Sequence, residues 1–124
     1  MAGTKLDGAG AAKMRTIDEA LSTLQRIHGM VERMAIDVKN QRGVGITPGQ
    51  IKRIATPMIG QLKGQFGIIA DQVTSMVLGM GRGGGEQNKV RGLQESVAQI
   101  RQALDMTASK VRKDHAVEIE VSPD

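Results

Sequence analysis

Residues 47–81, TPGQIKRIATPMIGQLKGQFGIIADQVTSMVLGMG, decide the fold. Ile51, Ala55, Met58, Leu62, Phe66, Ile69, Val73, Met76 and Met80 recur close to every 11 residues over three turns, so the stretch predicts one long helix, straight or slightly right-coiled. Thr47 is placed to cap it, Pro48 falls at the first helical position where its missing amide is harmless, and Gln50 completes a capping box. Glycines from Gly79 to Gly85 end the pattern.

The same periodicity runs on both sides. Upstream, Thr16-Ile17-Asp18-Glu19 reads as a capping box, followed by Ile17, Leu21, Leu24, Ile27, Val31, Met34 and Val38 on one face, which predicts a helix ending near Gln41. Downstream, Val90, Leu93, Val97, Ile100, Leu104 and Val111 alternate in steps of three and four from about Glu86, a narrow coiled-coil-like seam that fades by Lys113. Short connections favour up-down-up packing. The expected fold is therefore all-α, an antiparallel three-helix bundle with long coiled-coil-like helices over residues 16–113. A variant in which such units from two chains merge stays open, because a thin aliphatic core gives a monomer limited burial.

The ends read differently. Residues 1–15, rich in Gly, Ala and Lys, predict a disordered arm. In the acidic tail, residues 114–124, Val117, Ile119 and Val121 alternate with Glu118 and Glu120. This is one short strand that either stays disordered or pairs with a partner's strand or its own copy in an oligomer.

Composition narrows the chemistry. Phe66 is the single aromatic of 124 residues, so stacking platforms for bases, sugars or flavins are missing. No cysteine excludes disulfides, thiolate metal sites and a cysteine nucleophile, and fits a reducing, cytoplasmic location. There is no GxSxG, no phosphate-binding loop followed by Lys-Ser or Lys-Thr, and no HExxH. His28 and His115 are too far apart in sequence, with no carboxylate pattern beside them, to suggest a metal site. The expectation is a non-enzyme without cofactor, metal or small-molecule substrate. Residues 54–81, though low in charge, are interrupted by Lys63, Asp71, Pro57 and several glycines, so no transmembrane span is expected.

The net charge of +4 is unevenly placed. Arg42, Lys52, Arg53, Lys63 and Arg82 make the second segment basic, and Lys89, Arg91, Arg101, Lys110, Arg112 and Lys113 the third. The tail carries only acids. These cations give one alternative function, nucleic-acid binding by the second and third helices, which the missing aromatics and helix-turn-helix signal disfavour. A second alternative is phosphotransfer through His28. Thr56-Pro57 resembles the phosphoacceptor segment of sensor histidine kinases over two residues, but Lys52 stands where that family has its His. His28 itself lacks the HxxKG pattern of histidine-phosphotransfer domains, the chain reading His28-Gly29-Met30-Val31-Glu32. Binding of the second helix to an anionic membrane surface is a third alternative.

Three glycines, Gly60, Gly64 and Gly67, fall opposite the apolar stripe of residues 47–81. In a helix they cost together about 2–3 kcal/mol relative to alanine, which close approach of another helix would offset. Leu78 extends that side, and Met30 and Ile36 lie off the main stripe of the first helix. With Val117, Ile119 and Val121 these residues are the expected partner-binding set. The expected function is a protein-interaction module, an adaptor or a structural or regulatory subunit, that binds a protein partner and forms homo-oligomers.

Overall fold

The structure, a computed structural model, describes residues 2–82 and 84–120. It is mostly helical. In chain order it comprises strand β1 (Ala2–Leu6), helices α1 (Gly8–Lys39), α2 (Thr47–Lys63), α3 (Gly67–Met80) and α4 (Glu86–Asp114), and strand β2 (Ala116–Glu120).

All-α is the correct class, but four helices are present where three were expected. The difference lies in residues 64–66. Leu62 accepts from both Gln65 N and Phe66 N, and Phe66 leaves the helical region at φ −134°, ψ 60°, before α3 begins at Gly67. Phe66 turns its ring against the core while the chain reverses. Gly64 and Gly67 flank it, and neither favours continuing a helix. Residues on either side of the reversal face the same core, so the apolar period runs through it undisturbed.

The helices form a ring in which α1 packs on α2, α2 on α3, α3 on α4 and α4 on α1. Met80 at the end of α3 and Pro48 at the start of α2 meet Met34 and Leu93 around one hollow, so α2 and α3 are an antiparallel hairpin. Helices α1 and α4 are antiparallel too. Gln25 accepts from Arg101 and Glu32 from Gln94, so seven residues forward on α1 correspond to seven back on α4. At 1.5 Å per residue α1 is about 48 Å long and α4 about 44 Å, whereas α2 and α3 are about 26 and 21 Å. The hairpin therefore completes a four-helix bundle along roughly half of the α1–α4 pair. The remainder of that pair continues as a two-helix arm.

The core is aliphatic throughout. Ile17, Leu24, Ile27, Ile51, Met58, Leu62, Ile100 and Leu104 are its largest fully buried side chains. Every member of the three expected stripes is buried or packs against that core.

Helix α1 starts eight residues before the expected Thr16. Asp7 caps it, its side chain accepting from Gly10 N at 2.6 Å, and Gly10, Met14 and Ile17 extend the buried stripe at four- and three-residue steps. Thr16, now inside the helix, donates back to Ala12 O at 3.3 Å instead of capping. At its other end α1 closes in a Schellman motif. Arg42 N donates to Asp37 O, Gln41 N donates to Val38 O, and Gln41 takes the left-handed conformation at φ 58°. Thr47 is the first residue of α2 and is buried, and Ile46 precedes it without a side-chain cap.

The arm ends in a ribbon. β1 and β2 pair antiparallel from Ala2 opposite Glu120 to Leu6 opposite Ala116, and Asp7 N donates to His115 O one step further on. The segment read as a disordered N-terminal arm is thus a strand and two turns of helix. The reason is a pairing between the two ends of the chain, which no local pattern in residues 1–15 signals.

Candidate interaction face

The outward surface of α3 is the most unusual in the bundle. Its sequence, GIIADQVTSMVLGM, holds one charge, Asp71. Ile69, Ala70, Val73 and Met76 fill its inner face. Ile68, Asp71, Ser75 and Leu78, at steps of three and four, form the outer one, and Ile68 and Leu78 are 80% and 61% exposed. After Met80 the chain makes one tighter turn, with Gly81 N on Leu78 O and Arg82 N on Gly79 O, which places Arg82 three turns from Asp71 near the same stripe.

Beside this stripe runs a shallow groove between α3 and α4. Ser75, Gly79, Gly92 and Ser96 make its walls low, Met76 and Leu93 form its floor, and Arg82 and Lys89 stand at one end. Ile68, Asp71 and Gln99 line its other end. Gln72 Oε1 is buried there and accepts no hydrogen bond among the described residues.

The residues expected to bind partners are scattered. Gly60 lies on the exposed side of α2, Gly64 ends that helix with a right-handed backbone (φ −73°, ψ −34°), and Gly67 opens α3. The continuous glycine face expected of a single helix is therefore split by the turn. No atom outside their immediate chain surroundings lies within 4 Å of a Cβ built on any of the three. Met30 packs against the core edge, whereas Ile36 is 55% exposed on α1, diagonal to Leu78 on α3. Val117 is exposed, with its backbone paired to Lys5; Ile119 pairs with Gly3 through its backbone; Val121 lies outside the described residues. Of the expected set, the structure brings only Leu78 onto the α3 face. Ile68, Ser75 and Gln72 were missed, and the available signal was an isoleucine pair, Ile68-Ile69, of which one helix face can bury only one.

Apart from Arg42 and Arg82, which lie in connections, the basic residues of the nucleic-acid alternative divide between α2 (Lys52, Arg53, Lys63) and α4 (Lys89, Arg91, Arg101, Lys110, Arg112, Lys113), which are diagonal in the ring. His28 is half-buried at the edge of the α1 stripe. His115 belongs to a clasp at the end of the arm, its Nδ1 3.1 Å from Asp7 Oδ1 and its Nε2 3.0 Å from Lys13 Nζ. One tautomer satisfies both contacts: Nδ1–H donates to Asp7 and Nε2 accepts from Lys13. The hydrogen bond from Gly10 N, with His115 and Lys13 adding to it, holds the Asp7 carboxyl below its ordinary pKa. No group of three or more His, Asp or Glu side chains gathers to hold a metal among the described residues, and no helix there is long and apolar enough to cross a membrane.

No family model, curated protein or solved structure matches the chain.

Proposed function

We propose that the chain is a non-enzymatic helical-bundle interaction module, an adaptor or structural subunit, which works by self-association. The observation that carries this reading is the outward face of α3. An isoleucine and a leucine stand in solvent at 80% and 61% exposure on the helix with a single charge. An isolated exposed apolar residue is unremarkable, but two on one stripe beside an open groove favour burial against another surface. A cytoplasmic setting belongs to the same proposal and rests on the cysteine-free sequence.

Light-scattering mass measured up to about 100 µM tests it, a range that captures even micromolar association. The expected result is a mass above one chain that falls to one chain in the double variant Ile68→Lys/Leu78→Lys, with an unchanged helical circular-dichroism spectrum. A wild-type chain that stays monomeric throughout overturns the proposal.

A further inference from the structure

We infer that the occupant of the α3 face is the α3 of a second copy, laid antiparallel across a two-fold axis, with Asp71 of each copy opposite Arg82 of the other. This deepens the self-association reading and rests on it.

Register selects this arrangement. A two-fold interface brings the same patch together from both sides, so any charge it buries must find its complement within that patch. The stripe contains one acid and one base, Asp71 and Arg82, both exposed. Four residues separate Asp71 from Ser75, and four separate Leu78 from Arg82. A single antiparallel alignment therefore sets Asp71 against Arg82 of the second copy and, at the same time, Leu78 against Ser75. The exposed Leu78 at the centre meets the small Ser75, and each charge finds its opposite on the other copy. A parallel arrangement would instead place Asp71 beside Asp71 and Leu78 beside Leu78.

Size is consistent with a shared surface wider than one helix. A 14-residue helix is about 21 Å long, and its outer stripe alone falls short of the roughly 800 Å² per partner of a standard interface. The low walls of the adjoining groove, Ser75, Gly79, Gly92 and Ser96, let the second copy settle toward α4 and bury more.

Charge reversal in the full-length chain tests this, read as the dimer dissociation constant by sedimentation equilibrium. Asp71→Arg and Arg82→Asp should each weaken the dimer at least tenfold, roughly, because each sets like charges opposite one another. The double reversal should restore it to within about threefold of wild type, since the pairs re-form with exchanged signs. An unchanged helical circular-dichroism spectrum checks that each single variant folds. A dimer that survives both single changes, or fails to recover in the double, overturns this alignment while leaving self-association standing. A wild-type monomer overturns both.

Discussion

Gly10 in α1 lies against His115, the residue that caps α4, so closely that a Cβ on Gly10 would collide with the His115 Cβ and come within 3.2 Å of Asp7 Oδ1. The two ends of the chain thus meet at a position where only a hydrogen fits. The clasp around it combines the Asp7 cap and Lys13 with the His115 ring, which lies more than 100 positions away from both in sequence.

Replacing Gly10 by alanine tests that fit. In an unobstructed helix the change would stabilise by about 0.5–1 kcal/mol. Here overpacking against His115 should reverse the sign, giving about 1–3 kcal/mol of destabilisation in urea unfolding. His115→Gly in the same chain should recover most of the alanine's benefit. A Gly10→Ala protein more stable than wild type would show that the clasp is not closed in solution.

The clasp also has a pH signature. Asp7 is held below its ordinary pKa chiefly by the amide of Gly10, so it binds its proton less readily folded than unfolded. The stability this contributes is fully present above the ordinary carboxylate pKa of about 3.9 and is lost as pH falls through the lowered value. Asp7→Asn keeps a capping side chain but does not titrate. Its thermal midpoint should therefore fall less steeply than that of wild type between pH 5 and pH 2. Parallel slopes would remove the carboxylate from the account.

At the other end of α1, Gln41 occupies the left-handed position of the Schellman motif, where its Cβ is unfavourable. Gln41→Gly should raise stability by roughly 0.5–1 kcal/mol, seen as a higher urea midpoint with an unchanged slope. Loss of stability would mean that the Gln41 side chain holds the connection of residues 40–46 in a way its backbone does not reveal.

Helical class and the identity of the core were legible in the sequence, because a 3.6-residue period survives whatever the chain does at larger scale. Nearly every residue read as stripe is buried or packs on the core. The number of helices was not legible. Phe66 fits the stripe whether the helix continues or turns back, so residues 47–80 read as one helix while forming two. Gly60, Gly64 and Gly67 mark a weak helix in that stretch, and the chain reverses at residues 64–66, beside the second and third of them. The exposed apolar face of α3 was legible only at Leu78, since a residue's outward direction depends on which neighbours cover it. Ile68 and Ile69 look equivalent until the bundle closes over one side of α3.

By itself, then, the amino-acid order determined that aliphatic helices enclose an aliphatic core and that the last residues favour an extended strand. These are consequences of local spacing and propensity. Only the tertiary structure decided that the middle segment doubles back and that α1 begins at Gly8. It also decided that the tail finds its hydrogen bonds on residues 2–6, and that Gly10 has no room for a side chain. Each of these depends on groups brought together from distant parts of the chain, and a pattern that repeats every few residues carries no information about distance.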